Sequence, residues 1–301
     1  MQMLSQRYRK QLVRCALLFV AGMALQFIGG NVNPSFLAYP WSLVVVANYL
    51  YLLVLLYTKQ DAWKFVRGLY DRPATLVSLF ALLGLTLVFG LVPQDGSSEG
   101  ILGLLGFTRM NTSWIFCLFL FHFMNTMGLK VLDDVFHWRK RRFPVVIMHL
   151  SFFVILVASL FGSGDKTRVR VMAHQGHPVN VGIAEDGKIV ELPFALELKE
   201  FSLEGDSIRF HYLSKVSVTD DDGMRDAEIR VNHPLRVGQW WIYQSGYDRP
   251  PGSSTVISIL ECVKDSWYVA VCVAMWMVLL AGGWMFIRGW KDHQKGKEDG
   301  V

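Results

Sequence analysis

Two histidines in apolar surroundings are the residues of this chain best placed to do chemistry. His149 lies in Val145-Val146-Ile147-Met148-His149-Leu150-Ser151-Phe152-Phe153, and His122 in Leu118-Phe119-Leu120-Phe121-His122-Phe123-Met124-Asn125. An ionisable ring in such a run carries a free-energy cost and by default marks a functional position facing other helices rather than lipid. Neutral imidazole is a usual iron ligand, so a flat apolar cofactor such as haem is one reading, with Phe119, Phe121, Phe123, Phe152 and Phe153 as its apolar setting. A helix-to-helix hydrogen bond, worth roughly 1 kcal/mol, is the other. The residues alone leave both open.

Other chemistries find less support. His174 and His177 flank Gly176 at a spacing two metal ligands could use, yet no further ligand cluster accompanies them. His233, between Asn232 and Pro234, reads as turn chemistry. Cys15, Cys117, Cys262 and Cys272 form no Cys-x-x-Cys, so neither a thioredoxin-like centre nor covalent haem attachment is encoded. No P-loop, Gly-x-Ser-x-Gly or His-Glu-x-x-His occurs, and nothing pairs a nucleophile with a base.

The elements that must position the two histidines are membrane spans. The 301 residues are 52% hydrophobic and only 18% charged, and residues 15–58 contain no Asp, Glu, Lys or Arg. A soluble globule and intrinsic disorder are both excluded by that composition. With about 20 residues needed per crossing, six helices are expected, at 12–29, 41–58, Pro73 to Val92, 111–129, Phe143 to Gly162 and Ser266 to Ile287. The first, preceded by Arg7, Arg9, Lys10 and Arg14, has no good cleavage site after it and reads as a retained helix.

Lys59, Lys64, Arg67 and Arg72 fill one connection, Lys130 and Arg139 to Arg142 another, and Arg288, Lys291, Lys295 and Lys297 the tail. The opposite short loops hold only Arg109. The positive-inside rule then puts both termini in the cytoplasm, and it accounts for the net charge of +5 without a nucleic-acid partner. On this topology His122 is roughly 10 Å and His149 roughly 9 Å from the inner ends of their helices. They are expected at similar depth.

Residues 163–265 fall outside the membrane on that topology. Short alternating runs punctuated by Gly205-Asp206 and Asp221-Asp222-Gly223 predict an all-β sandwich or barrel. The strand expectations are Thr167 to Met172, Phe194 to Leu203, Ile208 to Val218, Glu228 to Val231, Trp240 to Tyr243 and Thr255 to Val263. The expected fold is therefore an α-helical integral membrane protein with an all-β extracytoplasmic domain inserted before the last helix. Its parts are a two-helix extension (1–72), a three-helix membrane domain (73–162), the β-domain (163–265), and the last helix with its tail (266–301).

Leu192-Pro193-Phe194-Ala195-Leu196-Glu197-Leu198 with Phe201, then Tyr212-Leu213-Ser214-Lys215-Val216, are runs that point to a family. So are Val231-Asn232-His233-Pro234-Leu235 and Tyr243-Gln244-Ser245-Gly246-Tyr247-Asp248. Together they resemble the ResB/CcsB family of cytochrome c biogenesis proteins, the System II pathway, over about residues 73–288. The resemblance implies a subunit of a cytochrome c haem-lyase (synthase) complex in the bacterial inner membrane. It would hold haem b with a CcsA-like membrane partner, for attachment to exported apocytochrome c.

The family's intramembrane ligand histidine maps onto His149 alone, making it the implied iron (metal) ligand; His122 remains a second cofactor-binding candidate with no family counterpart. One axial histidine from each subunit would hold the haem at the interface, and Arg139, Lys140, Arg141 and Arg142 could receive its propionates.

The chain departs from the family in three places. Its exported block is shorter than in many members, residues 1–72 are not covered, and the last helix opens Asp265-Ser266-Trp267 rather than Asp-Pro. The tryptophan-rich segment belongs to the partner, so catalysis by this chain alone is not implied. A haem-free scaffold and a b-type electron carrier using both histidines are the alternatives.

Overall fold

The computed structural model describes residues 2–96, 100–138, 143–184, 187–206, 209–249 and 256–298. The chain divides into two compact units, residues 1–164 with 267–301 and residues 165–266.

The first unit is helical. Its helices are α1 (Gln2–Gly29), α2 (Trp41–Thr58), α3 (Lys64–Arg67), α4 (Arg72–Gly90), α5 (Gly100–Leu104), α6 (Trp114–Phe136), α7 (Phe143–Phe161) and α8 (Tyr268–Glu298). Six of these, all but the short α3 and α5, are long and apolar enough to cross a membrane. The start of α4 shows how sequence sets a boundary. The Asp71 carboxylate accepts the Ala74 N–H, and Pro73 occupies the first turn, where a missing N–H costs least.

α6 is the best-buried span and the hub of the bundle. Two glycines allow its close contacts. A Cβ on Gly22 of α1 would stand 2.8 Å from the Ile115 Cα, and one on Gly128 of α6 would meet Leu53 at 2.5 Å and Phe153 at 2.7 Å. Small residues at such crossings bring helix backbones together where lipid offers no hydrophobic drive.

One boundary departs from expectation. The charges at Lys130, Asp133 and Asp134 suggested a helix ending at Leu129, but α6 continues to Phe136. The three side chains lie at i, i+3 and i+4, where Lys130 pairs with both carboxylates on one helical face, so these charges support the helix rather than end it.

The second unit is a single antiparallel sheet of eight strands. They are β1 (Thr167–Ala173), β2 (Val179–Ala184), β3 (Ile189–Asp206), β4 (Arg209–Asp220), β5 (Gly223–Arg230), β6 (Leu235–Val237), β7 (Trp240–Asp248) and β8 (Ile257–Lys264). The order is β5-β4-β3-β2-β1-β8-β7-β6. The sheet curls into a nearly closed barrel. Val169, Val171, Leu196, Leu198, Val216, Val218, Ile229, Ile242 and Leu260 fill its interior.

The interior also holds one polar seam. Ser214 of β4 donates to the Gln244 Oε1 of β7 at 2.6 Å and lies 2.8 Å from the Ser258 hydroxyl of β8, joining strands near opposite ends of the sheet order. Six strands fall where the alternating runs placed them, with shifted ends. β2 and β6 were not anticipated: β6 is three residues long, and β2 turns Val181 and Ile183 outward while burying Gly182.

Candidate functional site

His149 is carried by the second turn of α7, and the residue it meets comes from α6, fifteen positions earlier. The His149 Nδ1 lies 2.7 Å from the Asp134 Oδ2. An ionised carboxylate only accepts hydrogen bonds, so Nδ1 carries a proton towards it; in the neutral ring the lone pair then falls on Nε2. Among the described residues Nε2 has no hydrogen-bond partner. The His149 side chain is 21% exposed, whereas the Asp134 side chain is 5% exposed.

Asp134 is held from its other side. Lys130 Nζ donates to the Asp134 Oδ1 at 2.7 Å and to the Asp133 Oδ2 at 3.0 Å. The Asp133 Oδ1 in turn lies 3.2 Å from the His137 Nδ1 and receives the Tyr57 hydroxyl of α2 at 3.5 Å. A chain of ionisable groups thus runs from exposed His137, at the end of α6, inward to His149. Tyr70, in the connection before α4, donates to Gln60, and burial together with the nearby Asp133 charge pushes it up to about 12.

His122 stands apart from this cluster. It precedes Asp134 by twelve residues on the same helix, a rise of about 18 Å. Because α6 extends to Phe136, His122 is about 21 Å from the helix end rather than 10 Å. The expectation of similar depth is thereby corrected; its error was to end the helix at the first charge. The structure brings His149 together with Asp134 and records no contact between His149 and His122 among the described residues.

The aromatic residues around the two histidines divide as well. Phe119, Phe123 and Phe153 are buried in helix contacts, Phe123 edge-on to Phe152, while Phe121 is exposed beside Tyr49. An open apolar groove on α8, lined by Met285, Phe286, Gly289 and Trp290, contains no ionisable group.

Elsewhere the candidates resolve into structure. His177 Nδ1 faces the Gln175 carbonyl oxygen at 3.0 Å, and His174 pairs with His177 through the backbone. No cluster of three or more His, Cys, Asp or Glu able to hold a metal ion occurs among the described residues. His233 closes a turn onto Arg230, with Asn232 at φ 64°. Trp240 packs edge-on to Phe194, and Trp241 lies under the Arg236 guanidinium. Arg139, Lys140, Arg141 and Arg142 lie outside the described residues.

Sequence reasoning missed Asp134, Asp133 and Lys130. A signal was present: Lys130-x-x-Asp133-Asp134 is helical ion-pair spacing, and it implied that the helix carried on towards the next span.

Together, six helices long and apolar enough to cross a membrane, with a barrel-like domain between the fifth and the last, define a polytopic membrane protein in which a histidine of the fifth span is paired with a carboxylate. Residues 139–269 match the model of the ResB-like family, so the resemblance carried by the motifs is borne out over the segment from the end of α6 to the start of α8. No curated protein matches the chain. Among solved structures, the cytochrome c heme lyase CcmF aligns with 81% of this chain and 45% of its own length, at 14% identity and a TM-score of 0.34. The chain therefore spans less than half of that protein.

Proposed function

We propose that this chain is a haem-holding subunit of a System II cytochrome c biogenesis complex, with His149 Nε2 as an axial ligand. The observation that carries the reading is the His149–Asp134 contact. A carboxylate on Nδ1 is the usual outer partner of a metal-bound histidine, and it leaves the other nitrogen open to iron. The residues present fit such a group: the donor is an imidazole, its orientation is held by a carboxylate, and its ring is partly exposed. Haem, when bound, supplies the iron porphyrin to be joined to apocytochrome c.

The match over residues 139–269 supports the family role. A CcsA-like partner would bring the second axial ligand and the site of attachment. With that role the chain sits in the bacterial cytoplasmic membrane, and the positive-inside pattern supports cytoplasmic termini and a periplasmic barrel. Arg139, Lys140, Arg141 and Arg142 are then the proposed contacts for haem propionates at the cytoplasmic mouth. His122 is the subordinate ligand candidate, and it acts only if this chain binds haem on its own.

The test is the haem absorption spectrum of the purified chain, with and without a CcsA-like partner, for wild type, His149→Ala and His122→Ala. A low-spin signal that needs His149 and the partner is expected. Equal loss in both variants of the lone chain would favour the electron carrier. Stable complexes without haem in any preparation would leave a scaffold and defeat the ligand assignment.

A further inference from the structure

We infer that Asp134, clamped by Lys130, is a positioning residue that both aims His149 and sets how strongly its nitrogen donates to iron. The inference rests on the reading of His149 as a ligand and goes beyond it, because it assigns a task to residues that could otherwise be a plain helix-to-helix clamp.

The geometry points there in three ways. Each Asp134 oxygen has its own partner, Oδ1 to Lys130 and Oδ2 to His149, both at 2.7 Å, so the carboxylate cannot rotate without losing one of them. An intramembrane carboxylate that is 5% exposed is costly unless compensated, and Lys130 compensates it from one helical turn away. Lys130 is also shared with Asp133, so Asp134 retains negative character towards the imidazole. A carboxylate on the Nδ1 proton makes the opposite nitrogen a more basic ligand. A stronger donor favours ferric over ferrous iron and therefore lowers the reduction potential.

The experiment uses the full chain together with its CcsA-like partner in detergent, titrated with ferric haem and then reduced. Haem affinity, the iron–histidine stretching frequency and the midpoint potential are recorded for wild type, Asp134→Asn, Asp134→Leu and His149→Ala. Asp134→Asn keeps an accepting oxygen and loses the charge. It should bind haem with a lower stretching frequency and a higher potential. Asp134→Leu loses the aim as well, and haem affinity should fall about 10–100-fold.

If Asp134→Asn matches wild type in frequency and potential while His149→Ala loses haem, the role of Asp134 is overturned and the ligand stands. If His149→Ala binds haem like wild type, or wild type binds none, the ligand reading fails and this one with it. A leucine variant that does not accumulate leaves the decision to the isosteric asparagine.

Discussion

In the barrel, Ser214, Gln244 and Ser258 bond to one another and the network ends there, with the remaining Gln244 N–H donated to the Gly246 carbonyl. In the helical bundle, Lys130, Asp133, Asp134 and His149 are as tightly joined, but the network ends on a ring nitrogen with no partner among the described residues. Both networks are built from side chains that would be costly to bury alone. A polar network that closes on itself specifies a fold; one that holds a residue in place and leaves its reactive atom over specifies a site. The contrast also separates the two kinds of family evidence. The Tyr-Gln-Ser motif that carries the resemblance contributes Gln244 to the barrel seam, and Tyr247 packs at a tilt against Phe201 and Tyr212, so this signature records architecture rather than chemistry.

The largest effect should come from removing the cation of the open network. Lys130→Met leaves the buried Asp134 facing an uncharged partner, and the helical unit should lose about 3 kcal/mol, seen as earlier loss of helical signal in a detergent-denaturation series. Combining it with Asp134→Leu should regain most of that loss; a double variant as weak as the single would mean the pair is not the cause.

Next comes the closed network. Ser214→Val takes away the hydroxyl that joins Gln244 to Ser258 across the barrel interior and should cost about 2 kcal/mol in unfolding of the β-unit, followed by tryptophan fluorescence. Adding Ser258→Ala and Gln244→Leu should recover stability, whereas a further drop would show that the seam is not a unit.

A smaller effect concerns Cys262, buried on β8, where burial and then the Glu261 charge push its thiol up to about 12. The unfolded chain ionises this thiol near pH 9, before the folded chain can, so its contribution is constant below that pH and is lost as pH rises towards 12. Cys262→Ala should flatten barrel stability across that window. In the native wild type at pH 8, Cys262 should react with thiol reagents far more slowly than in the unfolded chain. The smallest effect is Lys215→Ala: its pair with Glu200 is about half exposed, and the loss should stay under about 0.5 kcal/mol.

How far the sequence reaches differs between the two units for physical reasons. Six spans and most strands follow from one-dimensional patterns, hydropathy for the helices and alternation for the strands. β2 breaks the pattern because its apolar residues Val181 and Ile183 face outward, and its buried position is a glycine packed on Val169 and Arg170. His149 was legible because an ionisable residue in an apolar run stands out. Asp134 was not, since its partner lies fifteen residues away across a helical hairpin, and its charge looked like the end of a span. Pairings between helices leave no period in a single sequence.

The pairing of β1 with β8, which sets Thr167 opposite Lys264, has a consequence for how the chain is made. The strand that leaves the ribosome first in this unit must wait for the last. At about 5–20 residues per second, the intervening stretch of nearly a hundred residues takes on the order of 5–20 s to synthesise. Throughout that interval β1 has β2 as its only sheet neighbour, and α7 lacks α8, which packs against it. The nascent chain therefore spends seconds with an unfinished barrel edge and an uncovered helix. Factors that shield unfinished sheets and membrane-inserted helices should matter most for this protein in that window.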